Sequence, residues 1–399
     1  MKFDNQLRYA VQIIETYKGD MPLHVWLKDY FRLNKQMGSR DRRQLSTLVY
    51  GFYRLGHAVR TMPIKDRLLA GLFLCNDQPG ELLAHFRPGW TGKAAAPLTE
   101  KIGFYQAQPE GAGFRLTDIF PWKEELSPSI DHEAFCLSFL RQPDLFLRIR
   151  PGNETAVRQK AAAIGEFIPP ATLRLPNGIR IEDYFTPDQE IVIQDYSSQR
   201  VADFLKPPAP ELAHDAAVPQ RPAPQFFWDA CAASGGKSIL AHDLYPDMQI
   251  LVSDIRESIL HNLKGRFAVA GIKKYHSFLV DLSKQPPPAS AVNADLILTD
   301  VPCTGSGTWG RTPEELYFFD PAAIDHYSTL QRKIMAHIGP RVTPDATLVY
   351  CTCSVFKKEN EEMIAYIRDT SRLKVRAAEN LKGYDLRADT LFAARFSQG

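Results

Sequence analysis

The chain has 399 residues, 44% of them hydrophobic and 24% charged, with a formal net charge of +2. That balance is ordinary for a soluble globular protein of two or three domains. No apolar run is long enough to span a bilayer, and six scattered cysteines make no disulfide framework, so membrane-spanning and disulfide-stapled classes are excluded.

The first residues, "KFDNQLRYAVQIIETYKGD", carry acidic groups inside any candidate apolar core, so no secretory signal is expected and a cytoplasmic setting fits. Residues 4–18, 21–35 and 40–59 read as helices. In the third, Leu45, Leu48, Val49, Phe52 and Leu55 recur at helical spacing, and Gly56 is a stop. Segments 64–75 and 79–86 continue the helical pattern, so 1–130 is expected to be all-helical. Residues 1–65 hold twelve Lys/Arg against five Asp/Glu, a local excess that suits either a polyanion partner or a solvated helical face.

From 131 the texture changes. A helix, "DHEAFCLSFL", precedes the strand-like "PDLFLRIRP"; "NETAVRQKAAAIG" is a helix, "ATLRLPNGIRIEDY" has hairpin punctuation, and "EIVIQDYSSQRVADFL" reads as strand, turn and helix. Residues 131–206 therefore predict a small α+β unit. The six prolines of 207–224 predict a linker or surface insertion. Within 225–399, "QFFWDA", "QILVSD", "YHSFLV", "DLILTD", "ATLVYCT", "RLKVR" and "LFAARF" read as seven strands. Helices are expected near 236–245, 256–270, 321–340 and 359–369. That alternation predicts a doubly wound α/β sheet, whose ligands lie at the carboxyl ends of strands.

Five loops lie at such ends. "DACAASGGK" joins the first strand to a helix through small residues, which lets backbone approach a ligand; it lacks the first Gly of a Walker A loop. Gly305, Gly307 and Gly310 satisfy G-x-G-x-x-G, but no apolar helix follows at once. Asp254 ends the second strand, where an acidic residue either holds a ribose diol or caps the next helix. Asp281 closes the third strand, facing an adenine amino group or serving its own turn. Together these loops point to an adenosine-containing cofactor without a triphosphate.

Asp300, Pro302 and Cys303 follow the fourth strand, and Cys353 follows the fifth. Two thiols and a carboxylate at adjacent strand ends suit the placing of an electrophilic carbon on C5 of a pyrimidine. A thiolate adds at C6 while an acid near N3 takes the charge, and C5 of the resulting enamine then attacks. Sulfur is both a good nucleophile and a good leaving group. The competing readings are a buried small hydrophobe at each cysteine and a Cys351–Cys353 disulfide, which would be strained. A zinc site is not supported, for no C-x-x-C or nearby His completes one.

These stretches carry a resemblance. "QDYSSQRVADFL", "DACAASGGK", "SDIRESILHNLKGR", "DVPCTGSGTWGRTPE", "YCTCSVFKKENEE" and "DTLFAARF" resemble, in order, the motif series of the RNA cytosine-C5 methyltransferases. The helical start, with "DRRQLSTLVYGFYRLG", resembles the NusB-like domain of the bacterial small-subunit ribosomal RNA methyltransferase B branch. The resemblance implies a Rossmann-like, seven-stranded class I methyltransferase domain at 225–399, after an all-α NusB-like RNA-binding domain at 1–130 and the α+β extension.

It implies that Cys231, Ala232, Ala233, Ser234, Gly235, Gly236 and Lys237 wrap S-adenosylmethionine. Asp254 would bind its ribose, Asp281 would lie near its adenine, and Asp300 would touch both cofactor and cytosine. Cys353, of the Thr-Cys pair, would be the nucleophile, and Cys303, of the Pro-Cys pair, would assist product release. Arg311 and Trp309 become candidates for phosphate and stacking contacts, with packing under the loop the alternative for Trp309. Arg42 and Arg43 of the basic start are further RNA candidates. The target cytosine must be single-stranded or flipped out.

The chain departs from the family pattern at Ser234, where Pro is usual, at Gly310, where a basic residue is usual, and at Cys351, where Ser is common. The expected partner is ribosomal RNA, with neither membrane nor metal, and the chain is expected to be a monomer. Transfer RNA methylation, or a non-catalytic RNA-binding assembly factor on the same fold, are the competing functions.

Overall fold

The computed structural model describes residues 1–78, 80–207 and 223–398. The Pro-rich segment expected at 207–224 lies, apart from its ends, outside the described residues. The chain divides into two compact units.

The first unit comprises Met1–Leu126, Asp131–Pro143 and Thr308–Asp320. Helices Phe3–Thr16, Leu23–Leu33, Ser39–Arg54 and Ile64–Cys75 enclose a core that includes Leu7, Ile13, Tyr17, Leu45, Leu48 and Phe52. Each helix turns one apolar stripe inward, as its three-to-four spacing requires. Gly51 and Gly71 bring two of these backbones together; a Cβ on Gly71 would lie 2.4 Å from the Gly51 carbonyl.

This division departs from the expected boundaries in three places, the first being Ser127–Ile130, which groups with the second unit. Helix His132–Phe139 groups with the helical unit rather than with an α+β extension. So does helix Pro313–Phe318, expected within the methyltransferase domain. The reason is packing. Tyr317 and Phe318 meet Tyr53, Phe52 and Tyr17 with ring centroids 5.3–5.9 Å apart, and buried Glu314 accepts from the Leu23 N–H at 3.0 Å.

The second unit holds two sheets. Strands β1 (Leu145–Ile149), β2 (Glu166–Ile168), β3 (Thr172–Leu175) and β4 (Ile191–Ile193) form a four-stranded antiparallel sheet in the order β2-β3-β1-β4. The hairpin is β2–β3, upstream of the one expected over 171–184. Residues Ile181–Asp183 form a 3-10 turn instead, because β3 finds both its partners, β1 and β2, earlier in the chain.

Strands β5 (Phe226–Asp229), β6 (Gln249–Asp254), β7 (Tyr275–Leu279), β8 (Leu296–Asp300), β9 (Thr347–Thr352), β10 (Lys374–Leu381) and β11 (Leu391–Ser397) form the seven-stranded sheet, in the order β10-β11-β9-β8-β5-β6-β7. The five central and leading strands are parallel, and β11 is antiparallel to both its neighbours. Side chains alternate between two cores. Phe227, Ile250, Leu298 and Val349 face Ile239, Leu260 and Phe267; Trp228, Leu251, Ile297 and Tyr350 face Ile334, Met335 and Met363. Helices cover both faces, which is why these strands read as apolar runs. Among the described residues no helix is long and apolar enough to cross a membrane.

The four-stranded sheet anchors the helix behind the first loop. Arg148 and Arg150 of and beside β1 reach Asp243 near the end of helix Gly236–Leu244, at 2.5 and 2.7 Å, with side chains 7%, 10% and 5% exposed. Removing a single member of such a group leaves buried charge uncompensated. Asp243→Ala is expected to lower unfolding free energy by about 3–5 kcal/mol, read as a shift in the denaturant midpoint.

Candidate active site

The first loop leaves β5 through Ala230 and enters helix Gly236–Leu244 by two residues in the left-handed region, Ala233 (φ 46°) and Gly235 (φ 83°). Gly235 is required twice over, since a Cβ there would also stand 2.9 Å from the Phe267 ring. Asp254, the last residue of β6 and 6% exposed, accepts from the Ala233 N–H at 3.0 Å and from the Arg256 N–H at 2.9 Å. It therefore braces the first loop. The cap position of helix Glu257–Ala270 belongs to Arg256, so the helix-cap alternative for Asp254 does not hold.

Ser234 is anchored rather than loose. Arg266 donates to its carbonyl at 2.9 Å and its hydroxyl at 3.1 Å, and Arg266 is itself paired with Asp188 at 2.6 Å. Asp281 lies two residues beyond β7. It accepts from Ser283 N–H and hydroxyl at 3.1 and 2.6 Å and pairs with Lys284, contacts that hold its carboxyl below the usual range.

Lys237 turns toward Asp300 and makes an ion pair of 2.7 Å. Burial would discharge it, but Asp300 and the neighbouring sulfurs of Cys351 and Cys353 more than offset that, so it holds its proton more tightly than an ordinary lysine. Cys231, half-buried on the same loop, is pushed up by burial and by Asp229, Asp300 and Asp254.

Asp300 closes β8 and is paired in register with Cys351 of β9. The loops that follow bring Cys303 Sγ to 3.1 Å from Cys353 Sγ, and the Cys353 N–H donates to Cys303 Sγ at 3.3 Å. The hydrogen bond to Cys353, then burial, pushes the Cys303 thiol far up. Cys351 is fully buried within β9, a core residue, with its thiol raised by burial.

The G-x-G-x-x-G match has a different basis from a phosphate loop. Gly305 adopts φ 73°, and Gly307 threads between the Cys353 carbonyl, to which it donates at 2.9 Å, and Thr390, whose N–H it accepts at 2.9 Å. A Cβ on Gly307 would overlap the Thr390 oxygen at 1.8 Å.

The RNA candidates fall in the helical unit. Arg43 is exposed, and Arg42 donates to the Met37 carbonyl at 2.9 Å. Arg311 is half-buried, with its backbone N–H on Thr308. Trp309 follows the packing alternative: it is 1% exposed and ringed by Phe319, Phe120 and Trp122 at 4.6–6.4 Å, so it presents no face to a base.

Sequence reasoning missed Ile255, whose apolar side chain is 60% exposed beside Asp254, and Arg266 behind Ser234. It also missed Glu359 and Asn360, both fully buried yet polar. Their signal was present in "KKENEE", an acid and an amide directly before a helix and close to Cys353.

Residues 219–391 match the family model described as 16S rRNA methyltransferase RsmB/F. These residues are similar to that family's methyltransferase domain. The chain is 30% identical over 269 residues to a probable ribosomal RNA small subunit methyltransferase B of Synechocystis, covering 62% of this chain and 54% of that protein. It is 30% identical over 246 residues to the probable Bacillus subtilis protein of the same name, covering 59% and 52%. The chain thus spans about half the length of the curated relatives it matches. A solved methyltransferase homolog protein from Pyrococcus horikoshii superposes with a TM-score of 0.54 at 19% identity, over 76% of this chain and 100% of that one. That likeness is one of fold.

S-adenosylmethionine is the cofactor of the RsmB/F domain, and the residues present fit it. The first loop exposes small residues and backbone, Asp254 offers a braced carboxylate at a strand end, and Ile255 offers an apolar surface to a flat ring.

Asp229, under this loop, is 1% exposed, and its Oδ2 accepts from the Ser238 hydroxyl at 2.6 Å. Burial, opposed by that bond and reinforced by Asp300, pushes it up to about 7. The folded state thus holds this proton more tightly than the unfolded chain. Its contribution to stability falls as pH rises from about 4 to about 7 and is level above. Asp229→Asn removes the charge and keeps a partner for Ser238. The melting-temperature difference in the variant's favour is expected to grow across that window and then plateau, checked by thermal melts from pH 4 to 8.

Proposed function

We propose that this chain transfers a methyl group from S-adenosylmethionine to C5 of a cytosine in RNA, with small-subunit ribosomal RNA the favoured substrate. The observation that carries the proposal is the Cys303–Cys353 sulfur contact of 3.1 Å, one loop beyond Asp300, at the carboxyl end of a methyltransferase sheet. The names of the matched relatives favour ribosomal RNA. The loop departure that favoured a non-catalytic factor loses its force, because Arg266 supplies the anchoring that Ser234 lacks.

When bound, the cofactor supplies an electrophilic methyl carbon. Cys353 gives its proton to water and adds to C6, forming a sulfur–carbon bond; as the C5=C6 and C4=N3 pairs shift, N3 takes a proton from water, returned after methyl transfer, and the Asp300 carboxylate accepts a hydrogen bond from that N3–H. Lys237, paired with Asp300, orients that carboxyl. After the methyl is on C5, the C5 proton leaves to water, the double bond reforms, and Cys353 departs with the sulfur–C6 pair. Cys303 holds its thiol proton tightly at hydrogen-bond distance from that sulfur, and protonates it as it leaves. Exposed Lys18, Lys28, Arg32, Lys35, Arg40 and Arg43 of the helical unit offer RNA phosphate contacts.

The test is methyl transfer from labelled cofactor to unmodified ribosomal RNA. Cys353→Ala is expected to lower turnover on the order of 10³-fold or more, with no covalent product. Cys303→Ala is expected to accumulate a protein–RNA adduct visible on a denaturing gel. Normal turnover in Cys353→Ala would remove the nucleophile assignment; transfer to transfer RNA alone would change the substrate.

A further inference from the structure

Two adjacent buried polar residues, Glu359 and Asn360, are unused by the chemistry above. Both are 0% exposed. Glu359 Oε1 accepts from the Thr304 N–H at 3.0 Å and from Gln331 Nε2 at 3.3 Å, and its Oε2 accepts from the Thr304 hydroxyl at 2.7 Å. Gln331 Nε2 also donates to the Pro302 carbonyl at 2.9 Å. The residues on either side of Cys303 are thus held by Glu359 and by the glutamine it holds.

Asn360 treats the other cysteine in the same way. Its Oδ1 accepts from the Thr352 hydroxyl at 2.6 Å, and its Nδ2 donates to the Ser354 carbonyl at 2.9 Å. Those are the residues on either side of Cys353. The two halves are tied together, since the Thr304 and Ser306 hydroxyls each lie 3.2 Å from that of Ser354.

A buried carboxylate is costly unless its lone pairs are filled, and here the Thr304 N–H and hydroxyl and the Gln331 amide fill them on the Cys303 side, with the Ser354 hydroxyl a further contact beside Cys353. A buried amide offers both a donor and an acceptor, and here each faces one flank of Cys353. Neither group is placed to touch a substrate, because each is closed off by the loops it holds.

We propose that Glu359 and Asn360 are positioning residues that set the separation of the two thiols, Glu359 acting on Cys303 and Asn360 on Cys353. This rests on the reading of those cysteines as the reacting pair. The carboxylate is specific: Gln at 359 would turn one of its own N–H groups toward the Thr304 donors, and Ala at 360 would free both flanks of Cys353.

The test uses the full chain and two readouts. The first is the single-turnover rate of methyl transfer at saturating RNA. Glu359→Gln and Asn360→Ala are each expected to lower it about 10- to 100-fold, the effect of a misplacement of roughly an ångström, with cofactor affinity and KM for RNA little changed. The second is the rate at which iodoacetamide alkylates each cysteine, read by peptide mass spectrometry. Glu359→Gln should change Cys303 more than Cys353, and Asn360→Ala the reverse. Equal changes at both cysteines in both variants, tracking a fall in melting temperature, would reduce the pair to scaffold and overturn the inference. So would wild-type transfer rates.

If Glu359→Gln fails to fold, Thr304→Val removes only the hydroxyl it accepts, and the same split at Cys303 is expected; its absence counts against the inference. Should the wild-type chain transfer no methyl to RNA, that result falls on the proposed function, and the alkylation split alone decides the positioning role.

Discussion

The parallel register between β8 and β9, in which Asp300 stands opposite Cys351, is the constraint on which the site depends. A strand pair can slip only by whole residues, and a slip of one would turn every side chain to the other face. Here it would exchange Leu298 and Ile297 between two separately packed cores, so the burial of both faces locks the pairing. The buried Thr299 hydroxyl adds a bond to the Val349 carbonyl at 3.1 Å. With the two strands ending level, the loops behind Asp300 and Thr352 start side by side. Short-range bonds then suffice to bring Cys303 and Cys353 together. The Gly307 N–H on the Cys353 carbonyl is one of them, and no residue with a side chain could make that approach.

What the sequence displayed clearly was whatever depends on local period. All seven strands of the large sheet and the four longer helices between them were legible because apolar runs, loop residues and helical spacing lie within short windows, whereas the short helices Ala289–Val292 and Pro313–Phe318 were not. Asp254, Asp300 and Cys353 were legible for the same reason, as polar residues at the ends of such runs. What was not legible depends on partners far away in the chain. For Trp309 both stacking and packing stayed open, because the residues that cover it, Phe120 and Trp122, lie nearly 190 residues earlier. Helix Pro313–Phe318 looked like part of the sheet domain because its aromatic partners sit in the first helices. Glu359 drew no assignment, because its donors on Thr304 lie 55 positions back.

Lys237 shows how distant pairing also changes the meaning of a residue. In a small-residue loop before a helix, a lysine suggests a phosphate grip. Its ion pair with Asp300 gives it another use, since the ammonium is spoken for by a carboxylate one strand away. The lysine fixes the orientation of the Asp300 carboxylate, and its own charge extends to the sulfurs of Cys351 and Cys353.

The two thiols are made unequal by the same surroundings. At 3.1 Å the two sulfurs share one hydrogen bond, and that contact together with burial holds the Cys303 thiol up, while Cys353 is the sulfur within reach of the Lys237 charge. A pair of identical thiols side by side would compete for one carbon and be prone to wrong adducts. Fixing each thiol by the residues that flank it gives the two sulfurs unlike surroundings, which is what the proposed order of events, addition through Cys353 and release aided by Cys303, requires.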